Sequence, residues 1–486
     1  MLLYHPAFIT GATRVYPICF NAYQYLTDME SFLKRAEKSG VIGFRLGRKA
    51  VYIVSGTSNV HSLFAPPHIM DPNMFHMLLM DKHWGMPSNE IRMFAKNTSG
   101  GQKRPLPGTE GIPDQRRPWH NHHEVYAQYL SSSKYTEALA DTFFSFFLMR
   151  LDQQPLLECV TVPIFDLIKT DRAESAVASL FGTQLLYLNP GLIECYWEFD
   201  EIAGALVRGL PRFLKPGQWR IRERLHNMVH RHVTSAWEKF NWEKDGESDW
   251  DPHSRFSREI AKWLRQTGFS DRATIGHTTA TLLGQEVLQA FTNDHVTGRR
   301  NLDVHRLLTL PRLSSAYLEI LRLHVSFNVT REVQQDTEVS GYRIPKGSLL
   351  QAPSQIAHYD ESAWASEGHP ASEFWAERHL TNVDEAGRQT TEPRLSTKSR
   401  PTSFFPFGPY WRQGLGYALC PGRHSAKREI LMAVAVILAK FEVEFVQWVH
   451  SDGRSSSRPA QNDQGYAGVV AMLPDRDMLV RWKRLW

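Results

Sequence analysis

Gly416-Tyr-Ala-Leu-Cys420-Pro421-Gly422-Arg423, running into His424-Ser-Ala426-Lys-Arg-Glu-Ile430-Leu-Met-Ala-Val434-Ala-Val-Ile437-Leu-Ala-Lys440, decides the fold of this chain. Ala426, Ile430, Val434, Ile437 and Phe441 recur at helical spacing, which predicts a long helix from His424 to about Lys440. Pro421 has the fixed φ of a first helical position, and Gly422 permits close backbone approach. A cysteine placed there faces unpaired backbone N–H groups and the positive end of the helix dipole. Both favour thiolate over thiol. Such a thiolate can be a nucleophile, a zinc ligand or an axial ligand to haem iron.

The surroundings weigh on that choice. Zinc needs several Cys or His ligands at close spacing, and His424 has no second pair near it. A nucleophile needs a paired His and an orienting group, which nothing marks. The 4 cysteines are too sparse for a disulfide framework and point to a reducing compartment. Cys19, Cys159 and Cys195 lie in apolar stretches and read as small core residues. A net charge of +5 without a dense basic stripe excludes the nucleic-acid classes and suits an acidic protein partner or an anionic membrane surface. The first twenty residues are interrupted by His5, Pro6, Arg14 and Pro17, so no membrane span and no signal peptide is expected.

Ala22 to Ser39 reads as one amphipathic helix, with Tyr25, Met29, Phe32 and Leu33 on one side. Val41–Leu46 and Ala50–Val54 read as a hairpin, and Gly341–Leu350 as a second with Gly347 in its turn. Ser99 to Pro118 reads as an exposed loop, and Asn241 to Phe256 as a polar surface connection. His120 to about Phe240 and Leu302 to Leu323 are mostly helical in pattern. Thr381 to Ser403 is a polar meander, and Glu442–Trp448 and Met478–Trp482 are candidate strands. The expected fold is therefore mainly α with a small mixed β-sheet built from both ends of the chain. Although 486 residues would accommodate about three domains, this interweaving favours one domain over residues 1–486.

Tyr317-Leu-Glu319-Ile-Leu-Arg322-Leu-His-Val325 sets a Glu and an Arg three apart on one helix face. Alone, the pair reads as an exposed ion pair worth a few tenths of a kcal/mol. Leu318, Leu321, Leu323 and Val325 make the helix apolar around most of its girth, so the pair can be buried. A buried pair needs a further partner, and Arg378 in Phe374-Trp-Ala-Glu377-Arg378-His379 offers one.

Glu-x-x-Arg at 319–322, Arg331, Gly-Tyr-x-Ile-Pro-Lys-Gly at 341–347, His358, Asp360, Trp364, Glu377-Arg378 and Cys-Pro-Gly-Arg at 420–423 follow one another in an order that resembles the cytochrome P-450 superfamily of haem-thiolate monooxygenases. Within it the chain is similar to fungal microsomal enzymes of the branch that includes sterol 7-hydroxylases and prostacyclin synthase. The resemblance is strongest over residues 302–438. It implies that Cys420 is the axial ligand of a haem b iron, donating electron density that assists O–O cleavage. It implies that Glu319, Arg322 and Arg378 form a structural triad, and that Arg331 pairs with a haem propionate. The bland reading of Arg331 is an exposed strand arginine. His122 and His123 stand where the family often has a propionate partner, but the fourth residue after Trp119 is His123, not Arg, so both read as ordinary surface residues.

The chain departs from the family in three places. Ala418 replaces the usual propionate-binding Arg two before the cysteine. Gln413 stands where the loop's Phe belongs, with Phe407-Gly408 as its displaced equivalent. The long central helix begins at Ser270 to Gly284, yet Gln285 to Phe291 already resembles the end of the next helix, so the middle is expected to be missing. A rival register uses Gly276-His277-Thr278-Thr279 as the oxygen-binding segment, without an acidic residue.

The implied function is a monooxygenase that inserts one oxygen atom into a C–H bond of an apolar small molecule of terpenoid, steroid or polyketide type. Electrons come from NADPH through a separate reductase. The cations Lys427, Arg428, Arg212, Lys215, Arg220, Arg222, Arg224 and Arg231 are candidate contacts for it. An intracellular site at the endoplasmic reticulum, with peripheral membrane contact, is expected from the family. The alternatives are a haem-thiolate isomerase without oxygen activation, or an inactive haem-binding protein or fragment.

Overall fold

The computed structural model describes residues 18–46, 49–56, 59, 60, 70, 71, 73–207, 212, 213, 215–240, 242, 250, 251, 254–284, 304–326, 328–366, 368–384, 387–396, 422–468 and 471–486. The longer described helices are α1 (Ile18–Thr27), α2 (Met29–Ser39), α3 (Asn73–Lys82), α4 (Ser88–Lys96), α5 (Pro118–Ser131), α6 (Ser133–Leu151), α7 (Ile164–Phe181), α8 (Leu192–Val207), α9 (Pro216–Lys239), α10 (Arg255–Gln266), α11 (Asp271–Gly284), α12 (Pro311–His324) and α13 (Arg423–Lys440). Helix dominates, as composition and periodicity lead one to expect.

The single helix expected over Ala22–Ser39 is two. Asp28 leaves helical geometry (φ −147°, ψ 75°), and its carboxylate accepts from Ser31 N at 3.1 Å, capping α2. Phe32, Leu33 and Tyr25 then pack on the β1 (Val41–Leu46) and β2 (Lys49–Val54) hairpin through Phe44, Val51 and Ile53. That hairpin has the expected register, from Val41 opposite Val54 to Leu46 opposite Lys49.

The strands form separate sheets. Besides β3 (Met70–Asp71), the first sheet takes β4 (Asn328–Val333) and β5 (Leu349–Pro353), in the order β1-β2-β5-β4-β3. The turn of the second hairpin is not at Gly347. It lies at Ser340-Gly341, both at positive φ, between Thr337–Val339 and Tyr342–Ile344. Gly347 (φ +79°) instead turns the chain into β5. The C-terminal strands Phe441–Val449 and Asp477–Arg484 do not join the N-terminal sheet. They pair with each other, and the latter pairs with Cys159–Pro163. The mixed sheet expected from both chain ends is thus two sheets. Cys159 sits exposed on an edge of the second, while Cys195 is buried. The polar meander contains the strand pair Leu380–Val383 and Gln389–Leu395.

α13 is apolar around most of its girth because it is buried among α6, α7 and the second sheet. Ile430, Leu431, Val436 and Ile437 are all buried, each contributing on the order of 1.5–3 kcal/mol. Phe441, at its end, stacks on Trp482 with centroids 3.9 Å apart.

Two polar segments read as surface are anchored inside. Arg117, fully buried, donates to Ser99 Oγ at 3.2 Å, to Lys103 O and Asp114 Oδ1 at 2.9 Å each, and to Gln102 O. One guanidinium therefore satisfies the carbonyls of a loop that sequence alone leaves open. In the 241–256 connection, buried Asp251 accepts from Thr183 N at 3.0 Å and Gln184 N at 3.1 Å, capping the short helix Gln184–Tyr187. Trp242 stacks on Trp237 of α9 at 4.0 Å.

Candidate functional site

Glu319 lies on α12 with its side chain fully buried, and charge converges on it. Arg322 donates Nε to Glu319 Oε2 at 2.9 Å and Nη2 to Oε1 at 2.8 Å. Arg378 donates Nε to Oε1 at 2.8 Å, and Trp375 N reaches the same oxygen at 3.2 Å. The guanidiniums spend their other N–H groups on carbonyls. Arg322 takes His358 O at 2.5 Å, and Arg378 takes Trp364 O, Pro370 O at 2.9 Å and Glu373 O at 2.8 Å. Burial alone would raise the Glu319 pKa, but bonds from Arg322, His379 and Arg378 hold it well below the usual carboxylate range. The three residues singled out from sequence thus meet, and they tie residues 358–378 to α12.

His379 is a fourth member that sequence reasoning missed. Its Nε2–H donates to Glu319 Oε2 at 3.1 Å, and its ring packs edge-on against Trp364. The signal was its place beside Arg378 in a stretch needing more than one donor.

Arg331 is not an exposed strand arginine. It is 6% exposed on β4, opposite Leu350, and donates Nη1 to Thr330 O at 2.8 Å. Cys420 lies outside the described residues, as do Ala418, Gln413 and Phe407-Gly408. α13 begins three residues after the cysteine, at Arg423, and Gly422 provides no side-chain cap for its first-turn N–H groups. That is an end suited to an anion.

α11 spans 14 residues, about 21 Å, and Gln285–Phe291, where the next helix was read, lies outside the described residues. Its turn Gly276–Thr279 is committed to packing. A Cβ on Gly276 would stand 2.7 Å from Trp84 O. Thr279 Oγ1 donates back to Ile275 O at 2.9 Å. His277 is fully buried and donates Nδ1–H to Ala273 O at 2.9 Å, and burial lowers its pKa to about 4.

The reading of His122 as a surface residue is wrong. Its ring packs against His277 at 5.3 Å, Tyr126 at 4.7 Å and Trp84 and Trp263 at 6.1 Å each. Burial, followed by the His277 ring, holds it neutral with a pKa well below the ordinary histidine value. Trp119, His122, Tyr126 and Tyr129 share one helical face, a spacing visible in the sequence. His123 is half-buried.

The basic surface is smaller than its sequence count. Lys427 is turned inward, donating to Leu308 O at 3.3 Å and Ser314 Oγ at 3.2 Å, and burial lowers its pKa. Arg222 is buried against Asp81 O and Lys82 O. Arg224 pairs with Glu198, Arg231 with Asn189, and Arg428 with Glu137. Arg212, Lys215 and Arg220 stay exposed. Among the described residues, no helix is long and apolar enough to cross a membrane, and no group of three or more His, Cys, Asp or Glu could hold a metal ion.

These residues fit a haem. A buried guanidinium at Arg331 suits a propionate carboxylate, and an uncapped helix start just after a cysteine suits a thiolate ligand. Comparison with known proteins agrees. The cytochrome P450 family model matches residues 283–457. The chain is 41% identical over 500 residues to the cytochrome P450 monooxygenase calL of Penicillium decumbens, covering 96% of this chain and 91% of that one. It is 27% identical to the cytochrome P450 monooxygenase fsoE of Humicola fuscoatra, over 64% of this chain and 60% of that one. The fold is shared with a retinoic acid-bound cyanobacterial CYP120A1, with a TM-score of 0.59 at 15% identity over 96% of both chains. The chain therefore belongs to the cytochrome P450 family, as a haem-thiolate monooxygenase that takes its electrons from NADPH through a reductase.

Proposed function

We propose that the chain, as one domain over residues 1–486, oxidises an apolar small molecule of terpenoid, steroid or polyketide type, with Cys420 as the axial ligand of its haem iron. The observation that carries this reading is the Glu319–Arg322–Arg378–His379 network. It braces the segment following α12 in a chain whose Cys-Pro-Gly-Arg run leads into the buried helix α13. When bound, the haem supplies oxygen activation. Arg331 would hold a propionate, and the N–H groups opening α13 would hydrogen-bond the sulfur and keep it ionised. Likeness to fungal monooxygenases supports a part in fungal secondary metabolism.

The test is a carbon monoxide difference spectrum of the reduced protein. A thiolate-type Soret band that is lost in Cys420→Ala is expected, and a protein that takes up no haem would sink the assignment. Oxygen-dependent NADPH consumption with a reductase, measured over a panel of terpenoids, steroids and polyketides, then selects the substrate class. If none of that panel is turned over while added polar compounds are, the apolar reading fails.

A further inference from the structure

A cavity of about 390 Å³ lies between α7, α13, the strands Phe441–Val449 and Asp477–Arg484, and the segments 460–462 and 471–474. Volumes of this order hold a small organic molecule, whereas protein interiors leave few voids larger than a water. Neither Arg331 nor any residue of α11 is among the described residues that line it. It is therefore separate from the arginine assigned to the haem and from the segment read as oxygen-binding.

Its walls are aliphatic. Ile164 and Ile168 of α7 stand across from Ile430, Ala433, Val434 and Ile437 of α13. From Ile164 to Arg172 the slot follows α7 for about 12 Å. Contacts fix its two ends. Ile164 packs in one cluster with Phe441, which follows the end of α13. Arg172 Nη2 lies 3.8 Å from Oε2 of Glu429, in the second turn of α13. Lys169 and Arg172 thus stand at the end of the slot nearer the start of α13.

The charged groups of the lining are committed to partners, with one exception. Asp477 accepts from Phe165 N at 2.8 Å and from Asp166 N at 3.0 Å. Arg476 pairs with Asp475, and Arg172 faces the buried Glu429. Among the neutral groups, His324 is bonded to Asn462. Lys169 is half-buried and has no carboxylate within ion-pair distance among the described residues. Its ammonium lies 4.5 Å from the ring centroid of Trp197 and 5.9 Å from that of Phe165, which also lines the cavity. Aromatic faces attract a cation without neutralising it.

An occupant suited to this lining is apolar along most of its length and anionic at one end. We propose that the cavity binds one apolar carboxylic acid, with its hydrocarbon body along α7 and α13 and its carboxylate at Lys169. The bound acid gives the apolar walls the contacts an empty space denies them and gives Lys169 its counter-charge. It also braces α13, the helix that follows Cys420. An open-chain fatty acid and a ring-built terpenoid acid share this chemistry.

The test is equilibrium binding of cis-parinaric acid, a fluorescent fatty acid, to the full-length haem-loaded protein. Displacement is then measured with palmitate, with abietate and with uncharged hexadecanol. Saturable binding is expected, with palmitate or abietate competing about tenfold better than hexadecanol. Displacement by palmitate alone assigns a fatty acid and by abietate alone a ring-built acid, and either supports the site. Lys169→Met should abolish the preference for the acid over the alcohol, and Ala433→Trp should occlude the cavity and abolish binding of both. No saturable binding, equal affinity for acid and alcohol, or a preference that survives Lys169→Met overturns the proposal. A shift of the Soret band on adding the acid places it over the haem instead and also overturns it. The Lys169→Met result is read without relying on Ala433→Trp to fold. Protein that took up no haem would give the same binding curves, so failure of the haem assignment is distinguishable from failure of this site.

Discussion

Arg378 reaches back across 59 residues of sequence to place its Nε 2.8 Å from Glu319 Oε1, and both side chains are almost wholly out of water. Such a pair is costly to bury and more costly to break. Desolvation is offset only while every donor and acceptor is served. Here each guanidinium bonds to Glu319 and to main-chain carbonyls. The network therefore works as a clamp between α12 and residues 358–378, and its value lies in its completeness.

Glu319→Gln keeps the shape but strands two buried guanidiniums. It should destabilise the protein by about 3–5 kcal/mol, a large share of the roughly 5–15 kcal/mol of a typical fold. Urea unfolding followed by circular dichroism reads the loss. Arg378→Lys should fare almost as badly, because an ammonium cannot reach Trp364 O, Pro370 O and Glu373 O from one position. A lysine variant with unchanged midpoint would show that the carbonyl contacts contribute nothing.

Acid sensitivity should come from histidines, not from this clamp. Burial lowers His83, His226, His232 and His277 from 6.5 to about 4. Between those values the unfolded chain binds protons that the folded chain refuses, so stability falls as pH drops from 6.5 toward 4 and levels off below. Each ring contributes at most on the order of 3 kcal/mol. Glu319 acts with the opposite kind of shift. Its depressed pKa gives stability that is complete above the ordinary glutamate value of 4.5 and is lost only as pH falls below it. Melting temperature measured from pH 7.5 to 4.5 should decline steadily, and His277→Phe should flatten the decline. A flat profile in the unmodified protein would contradict the buried, neutral rings.

Sequence reading recovered what residue type and short spacing encode. Glu319-x-x-Arg322 sits on one helical face, its apolar neighbours mark burial, and a buried pair demands a third group such as Arg378. It missed what distant segments assemble. The ring cluster draws Trp84 from a turn, His122 from α5, Trp263 from α10 and His277 from α11. No local pattern couples those four. Arg117 and Asp251 were likewise misplaced because polar stretches resemble surface until a buried charge is seen collecting their backbone groups. The break at Asp28 escaped because a cap inside an unbroken apolar periodicity costs the pattern nothing.

Two glycine replacements should act in opposite directions. Gly276→Ala in α11 gains up to about 1 kcal/mol of helix propensity. Its methyl would nevertheless meet Trp84 O at 2.7 Å and Trp84 Cβ at 2.8 Å, and overpacking of that kind costs roughly 1–3 kcal/mol. Backbone cannot yield as a flexible side chain can, so a net loss is expected. Gly217→Ala, in the first turn of α9, meets nothing within 4 Å and should raise the unfolding free energy by up to about 1 kcal/mol. Equal effects from the two would mean that α11 does not pack against Trp84 as described.

Asp251 and Gly182 should be coupled. Gly182 has φ +82°, and a Cβ there would fall 2.1 Å from Asp251 Oδ1, so the capping carboxylate occupies the space a side chain would need. Asp251→Ala removes both bonds to Thr183 N and Gln184 N and should cost about 1–3 kcal/mol. Gly182→Ala should cost more, because at φ 82°, ψ 172° any residue but glycine carries a backbone penalty of about 1–3 kcal/mol, which adds to the clash. In the Asp251→Ala background the clash is gone and only the backbone penalty is left. The double variant should therefore be more stable than the sum of the two losses, by about 1 kcal/mol or more. Strict additivity in urea unfolding would show that the carboxylate does not fill the glycine's side of the cap.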